Sequence, residues 1–584
     1  MTKGFRFDEA RPKLPLAGAA RPKAGAPWGR GSSRAVHRLT PALVAILAGA
    51  FGLASCEGCR SASPSRSVAA AGPTPRSDAP PPTVRLFFIS DLAGALEPCG
   101  CTKDQLGGLD HFGAWVQSSR ALAGAAFVAS AGPLFFMDPS LVPDRAEQDR
   151  EKATTIARVL RRLDLAAFAP GSNDWADGPD ALGSLANAAG AAVIAAESPA
   201  QAPGASVVIR EVKGTAGVPL RLAFVGYGQR RPGEAPTSAQ EVIRAGIEEA
   251  KRLGSNVIIA LAAVGRGEAK RIADAFPELT AVVVGSAKSE SDTNTTVPQG
   301  ERVGDVLIVQ ASNHLQTVAV VDLFVREPVA DGRLVRFADS AGLDRAQRRS
   351  DLTQRIDDLH VKIAAWERRD GVSPSDLAAR RRDLAKLEAN RDALDDAPPP
   401  KTGSFFRYTI KEIRDSLGKD PSIDAEFLAY YRSVNAHNRI AFANRQPSPP
   451  AAGEATYIGV EACSTCHPQA RQFWNGTRHA HAYGSLSSQY KEFNLDCVAC
   501  HVTGYERPGG STVTHTEKLE NVQCEVCHGP GSKHALNPSD KGAIVGAPQP
   551  SLCIGCHHPP HVEAFSPVER MKDILGPGHG LPVP

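Results

Sequence analysis

Short apolar runs alternate with helical patterns between residues 83 and 330 of this chain. The runs are four to eight residues long and rich in Val, Ile and Ala, which is typical of buried strands. Strands that alternate with helices predict an α/β domain over this range. The predicted strands are Val84–Ile89, Ala125–Ser130, Leu165–Ala169, Ala191–Ala195, Leu220–Val225, Asn256–Leu261, Ala281–Val284, Val306–Gln310 and Thr317–Phe324.

A different, helical pattern follows. Over 344–397 the apolar residues step by three and four, and Ser373 and Pro374 form a helix-start signal between two such stretches. This predicts an antiparallel helical hairpin that serves as a spacer, a docking arm or a dimerisation element. Residues 403–445 are predicted to form a further helical connector. The seam of the first hairpin helix is Leu352, Ile356, Leu359, Ile363 and Trp366.

The N-terminus has the pattern of a secretory signal. Nine basic residues in positions 1–40 precede an apolar run, Pro41–Leu53, that is too short to span a membrane. The sequence Leu-Ala-Ser-Cys56 resembles the lipobox of bacterial lipoproteins, which implies cleavage before Cys56 and a lipid on its sulfur. The alternative is an ordinary signal peptide. We therefore assign 1–56 to the signal and the Pro-, Ser- and Ala-rich residues 57–82 to a tether.

The net charge and the cysteines indicate which kind of ligand the chain binds. A net charge of +3 over 584 residues gives no reason to expect nucleic-acid binding. Of the 12 cysteines, eight fall into four C-x-x-C-H motifs after residue 455. C-x-x-C-H is the attachment pattern of a c-type haem: two thiols one turn apart form thioethers, and the next His binds the iron. The motifs are Cys463/Cys466/His467, Cys497/Cys500/His501, Cys524/Cys527/His528 and Cys553/Cys556/His557.

Four covalently bound haems are thus predicted in residues 455–584. A zinc ribbon would not need a His after each pair, yet all four pairs have one. Only three Met occur in the chain, so most of these haems should have two His ligands and low potentials. A segment this small should use its haems as a core. The seven remaining His of the segment are His479, His481, His515, His534, His558, His561 and His579.

Two other cysteines, Cys99 and Cys101, form a C-x-C just after the first predicted strand. They could form a reducible disulfide, bind a metal or pair elsewhere. A redox role beside haems and a purely structural role both remain open.

The α/β region resembles the 5′-nucleotidase and calcineurin-like metallophosphoesterases. The resemblance lies in Arg85–Gly94 with Gly107-Gly108, and in later landmarks in the same order. It implies two β-sheets flanked by helices. These landmarks are Ser130–Pro133, Gly171–Asp174, Leu261–Gly265 and Gly285–Lys288.

The metal ligands of that family are largely missing here. Asp91 matches, but Gly171–Asp174 reads Gly-Ser-Asn-Asp where the family has Gly-Asn-His-Glu. One remaining ligand cannot hold the two metals that such enzymes use, so we predict a domain without phosphoesterase activity. The other lost positions are Ala93, Pro133, Ala263, Ser286 and Lys288.

Residues 455–584 resemble the cytochrome c554 family. The shared features include Phe473-Trp474, Thr477–Ala482 and Val522–His534 in addition to the motifs. The resemblance implies tetrahaem electron transfer through closely packed haem pairs. It favours His479 and His534 as distal iron ligands, with His561 and His579 as further candidates, and it allows one five-coordinate haem.

Three functions follow from these features. The first is an extracytoplasmic, lipid-anchored electron carrier whose partners are other cytochromes or quinone-linked enzymes. The second is a multihaem oxidoreductase that acts on a small nitrogen or sulfur compound at an open haem. The third is a phosphoesterase fused to a redox sensor, which the missing ligands disfavour.

Overall fold

A computed structural model describes residues 80–98, 105–194, 206–214, 218–231, 233, 237–288, 299–330, 332–340, 342–367, 373–394, 401–558, 562 and 565–579. The predicted signal sequence, most of the tether, Cys56, Cys99, Cys101 and His561 lie outside these ranges. None of the helices in the described ranges is both long and apolar enough to cross a membrane.

Thirteen strands occur in the described part of the chain. All nine predicted strands are present, and four further strands were not predicted. In chain order they are β1 Val84–Ser90, β2 Ala126–Ala131, β3 Leu165–Ala169, β4 Ala192–Val193, β5 Val208–Val212, β6 Leu220–Tyr227, β7 Val257–Ala263, β8 Ala281–Gly285, β9 Glu301–Val303, β10 Val306–Val309, β11 Thr317–Phe324, β12 Ala338–Asp339 and β13 Phe405–Glu412.

The helices divide into long ones before residue 445 and short ones after it. In chain order they are α1 Leu109–Arg120, α2 Ala146–Arg162, α3 Pro179–Ala189, α4 Ala239–Arg252, α5 Arg266–Ala275, α6 Gly342–Glu367, α7 Pro374–Ala393, α8 Pro421–Ala441, α9 Val460–Ser464, α10 Pro468–Asn475, α11 Ala482–Ser487, α12 Val498–His501, α13 Cys524–His528, α14 Ser532–Leu536 and α15 Pro567–Met571.

The strands form two sheets packed face to face. One has seven strands in the order β12-β13-β11-β1-β2-β3-β4, and the other has six in the order β5-β6-β7-β8-β10-β9. Alternate residues of each strand point to opposite faces. Leu86 and Phe88 of β1 therefore meet Leu222 and Phe224 of β6 in the core between the sheets. Helices cover both outer faces, and the predicted α/β sandwich is confirmed.

The helical hairpin is present as α6 and α7. Ile356 and Ile363 of the predicted seam are buried, as a heptad pattern requires. Ser373 is the N-cap of α7: its Oγ accepts a hydrogen bond from the Ser375 N–H at 3.2 Å, and Pro374 is the first helical residue.

The prediction of a purely helical connector over 403–445 is wrong in its first part. Residues Phe405–Glu412 form β13, which pairs antiparallel with β11 along its whole length. Aromatic and β-branched residues favour strands, and Phe405 and Tyr408 are almost fully buried in the sheet. The α/β domain therefore does not end at residue 330, since β12, β13 and α8 belong to it and the hairpin is an insertion.

The C-terminal segment has few long elements and almost no apolar core of its own. Its buried hydrophobic cluster is centred on only Val498, Val502 and Val513. Its helices contain four to eight residues each, which is too short for independent stability.

Candidate haem-binding centre

Each C-x-x-C-H motif lies on a single tight turn. Two motifs coincide with helices α12 and α13. A third begins at the end of α9, and the fourth lies on a 3₁₀ turn over Pro550–Gly555. Residues three apart lie on one face of such a turn, which is the spacing that a haem attached through both thiols requires. All eight cysteines are free of disulfides.

One motif cysteine differs from the others in its burial. Seven of the eight are half-buried, but Cys466 is exposed, as is the adjacent His467. The reason is that α9, Val460–Ser464, includes Cys463 and ends before Cys466. Cys463 is thereby held against Cys524 of the third motif, whereas Cys466 lies beyond the helix at the surface. The thioether of Cys466 to haem stays a prediction that rests on the motif spacing.

Three of the four motif histidines face a second imidazole. A metal–nitrogen bond of about 2 Å on each side, plus half of each ring, would place two trans imidazole centroids about 6 Å apart. The observed gaps fit an iron ion held between the rings. The pairs are His467 with His534 at 6.4 Å and 24° between planes, His557 with His479 at 6.2 Å and 41°, and His528 with His579 at 6.3 Å and 24°.

His501 is the exception among the motif histidines. In the described parts of the chain no ring is found opposite it. Its Nδ1 lies 2.6 Å from the carbonyl oxygen of Ala482. With the proton on Nδ1, that nitrogen donates to the carbonyl and leaves Nε2 as the metal-facing atom. His528 has the same arrangement with Val545 O, also at 2.6 Å.

Burial favours the neutral, metal-binding form of two of these imidazoles, His479 and His501. It lowers the pKa of His501 and of His479 below the ordinary value of 6.5, and His557 opposite lowers that of His479 further. A neutral ring has a lone pair available for iron.

Two other candidate ligands point elsewhere. His481 is exposed, and its Nε2 lies 3.0 Å from the carbonyl oxygen of Asn475. The Nε2 of His515 lies 2.6 Å from the side-chain amide of Gln446. Neither ring faces a motif histidine.

The motifs also lie close to each other in two pairs. The thiols of Cys463 and Cys524 are close enough for each to shift the pKa of the other, and so are those of Cys500 and Cys556. The first motif therefore adjoins the third, and the second adjoins the fourth.

Two buried side chains, which the sequence analysis had not singled out, fasten the first motif to the third. The Glu525 carboxylate accepts hydrogen bonds from the N–H groups of Ile458, Gly459 and Gly531 at 2.7–3.1 Å. The Gln523 amide oxygen accepts from the Val460 N–H at 2.7 Å. A glutamate between the two cysteines is the sequence signal for this contact.

Several aliphatic side chains of the segment are exposed. Leu536 and Val568 are 88% and 75% exposed, and other aliphatic residues near the motifs are also exposed. The other exposed residues are Val545, Leu552 and Ile554.

Hydrogen bonds join the end of β1 to the loop after β8 in the α/β domain. The Asp91 carboxylate accepts from the N–H and the Oγ of Ser286, both at 2.7 Å. Asp91 therefore links the end of β1 to the loop after β8. Burial raises the pKa of Asp91 to about 6, although the two hydrogen bonds from Ser286 act to lower it.

Asp174 has a similar structural role. It accepts from the N–H groups of Leu134, Phe135 and Gly171 at 2.8–3.0 Å, and burial raises its pKa to about 7. Across the ranges that the structure describes, no group of three or more His, Cys, Asp or Glu side chains is placed to hold a metal ion.

Comparison with known proteins identifies the C-terminal region. The family described as cytochrome c554 and c-prime matches residues 462–529. Cytochrome c-554 of Nitrosomonas europaea is 36% identical over 96 residues, covering 14% of this chain and 41% of that relative. The chain thus spans about two fifths of the length of that protein.

The solved structures that resemble the chain include 5′-nucleotidases. A 5′-nucleotidase precursor from Thermus thermophilus has 17% identity and a TM-score of 0.37 over 65% of this chain and 62% of its own. The NAD nucleotidase of Haemophilus influenzae has 17% identity and a TM-score of 0.31 over 41% and 52%. The C-terminal part of this chain is therefore similar to the cytochrome c554 family over residues 462–529, a similarity that implies covalent haem c outside the cytoplasm, and it follows a two-sheet α/β domain.

Proposed function

We propose that this protein is an extracytoplasmic electron carrier with four covalently bound haems. The observation that carries the proposal is the set of three imidazole pairs, 6.2–6.4 Å apart, each of which includes a C-x-x-C-H histidine. Haem supplies a reversible one-electron iron couple. We propose that the chain supplies both imidazole ligands of three of the four irons, from the pairs His467/His534, His528/His579 and His557/His479.

The arrangement of motifs supports transfer between haems within the chain. The thiol contacts bring the first motif beside the third and the second beside the fourth. Haems attached at these four motifs would therefore lie next to each other in two pairs. Redox proteins such as other cytochromes or quinone-linked enzymes are the proposed partners.

A reductive titration tests this function. We expect the purified protein to contain four haems per chain by pyridine haemochrome assay and to take up four electrons from dithionite, one for each motif. A chain that carries fewer than four covalent haems, or haems that do not reoxidise with a c-type cytochrome, would contradict the proposal.

A second function is favoured by the environment of His501. Because no ring faces it in the described residues, the haem of the second motif would keep one iron position open. An open position permits reduction or oxidation of a small nitrogen or sulfur compound. Turnover of nitrite, hydroxylamine or sulfite above the rate of free haem would establish this enzyme activity.

We further propose that the α/β domain is a scaffold without phosphoesterase activity. Ser286 supplies both hydrogen bonds to Asp91, the single family metal ligand that is retained. We expect hydrolysis of p-nitrophenyl phosphate and of AMP to stay at background with added Mn²⁺ or Zn²⁺. Metal-dependent hydrolysis that disappears in Asp91→Asn would overturn this assignment.

The proposed membrane attachment depends on Cys56. Its lipobox-like context supports a lipid anchor after signal cleavage, with residues 57–82 as the tether. Loss of the protein from the membrane fraction in Cys56→Ala, but not in Cys59→Ala, would support the anchor. Equal retention of both variants would oppose it.

A further inference from the structure

The second haem motif rests on the α/β domain. The loop that leads to Cys497 lies against α2. There the Asp496 carboxylate forms ion pairs with Arg145 at 2.5 Å and with Lys152 at 2.6 Å. The Lys152 side chain is only 10% exposed, so water screens this ion pair weakly.

A buried amide network extends this contact. The Gln148 Oε1 accepts from the Leu495 N–H at 2.9 Å and from the Asn438 amide at 3.1 Å. Asn438 also donates to the carbonyl oxygen of Phe493 at 2.9 Å. Because the amide groups of Gln148 and Asn438 in the α/β domain form hydrogen bonds with the backbone of this loop, the loop is held in one position.

A second ion pair crosses the same boundary. The Lys491 Nζ lies 2.5 Å from the Glu97 Oε1, which also accepts from the Tyr431 hydroxyl at 2.8 Å. Lys491 lies over the Tyr431 ring, 4.3 Å from its centre. The side chains of Lys491 and Glu97 are 13% and 18% exposed.

Both ion pairs lie around the Cys497 thiol. Burial raises the pKa of Cys497 to about 12, and Asp496, Lys491, Lys152 and Glu97 are all close enough to act on it. Cys497 would carry one edge of the second haem, so these charges surround the attachment point of that haem.

We propose that Glu97 and Lys152 of the α/β domain set the reduction potential of the haem attached through Cys497 and Cys500. This inference rests on the proposed function and assigns a role to the α/β domain. Reduction adds one electron to the iron, which a nearby cation stabilises and a nearby anion opposes. Loss of Lys152 should lower the potential of this haem, and loss of Glu97 should raise it.

Charge-neutralising variants of the full haem-loaded chain test the proposal. In Lys152→Met the potential of the second haem is expected to shift down, and in Glu97→Gln it is expected to shift up. Dithionite titrations followed by EPR should separate this haem from the others if its iron has one imidazole ligand, as proposed above, and redox-dependent optical spectra follow all four haems. Lys152→Arg keeps the charge and should restore the original potential.

A matched control is available on the far side of the α/β domain. Lys251 of α4 forms an ion pair with Glu278 at 2.7 Å. Helix α4 packs on the six-stranded sheet, whereas α2 packs on the seven-stranded one. Lys251→Met should therefore leave the reduction potential of every haem unchanged. Unchanged potentials in both test variants, or equal shifts of all haems, would overturn the inference. Absence of haem from the unsubstituted protein would instead defeat the proposed function.

Discussion

Replacing His534 with alanine is expected to convert one low-spin haem per chain into a high-spin haem. The His534 ring faces His467 across 6.4 Å with only 24° between the planes. Without the second imidazole that iron would keep five ligands, which leaves it high-spin and open to added ligand. EPR should show the loss of one low-spin signal, and cyanide or imidazole should restore it.

His481→Ala is the matched control for this change. His481 belongs to the same segment but contacts the carbonyl of Asn475 instead of a motif histidine. Its spectrum should be that of the unsubstituted protein. A normal spectrum for His534→Ala, or a change of the same size for His481→Ala, would show that the ring pairs do not mark the iron ligands.

Replacing Glu525 with alanine is expected to destabilise the cytochrome domain severely. The buried carboxylate accepts hydrogen bonds from three backbone N–H groups. Each buried donor left without a partner costs about 1–3 kcal/mol, so the total loss should be about 3 kcal/mol or more. The thermal midpoint, followed by the haem absorbance, should fall and the yield of haem-loaded protein should drop.

Glu461→Gln provides the comparison for this variant. The Glu461 side chain is 82% exposed and pairs with Arg471 at the surface. Exposed pairs contribute little to stability, so its thermal midpoint should stay unchanged. Equal midpoints for Glu461→Gln and Glu525→Ala would mean that the first and third motifs are not fastened by Glu525.

Much of the fold was predictable because buried strands have a strong sequence pattern. The runs at β7 and β8 are apolar throughout, which is typical of strands covered on both faces. β13 was missed because it directly precedes the long helix α8 and follows the hairpin. Its partner β11 is about ninety residues away in sequence, and local patterns do not reveal such pairings.

The motifs identified the attachment cysteines, but the sequence could not assign a second ligand to each iron. His479 and His481 are two residues apart on the 3₁₀ turn Arg478–His481. Such a turn has three residues per turn, so the two rings point in different directions. The structure turns His479 towards His557 and His481 towards Asn475.

The exposure of Cys466 could not be predicted from the motif either. The spacing of Cys463 and Cys466 fixes their separation along the chain, but not which of them lies against another motif. That depends on where α9 ends and on the contact between Cys463 and Cys524. Both are properties of the folded segment.

The contacts between the two domains left no local signal at all. Arg145 and Lys152 look like ordinary polar positions of an amphipathic helix. Their partner Asp496 lies about 350 residues further along the chain. Only the folded arrangement places them beside the second motif.

The most direct test of the whole account is an EPR and optical spectrum of the haem-loaded protein, oxidised and reduced, with and without cyanide. The account predicts three low-spin haems with two imidazoles each and one high-spin haem that binds cyanide. Four low-spin haems that ignore cyanide would contradict the assignment of an open iron at His501. Absence of covalent haem would contradict the function itself.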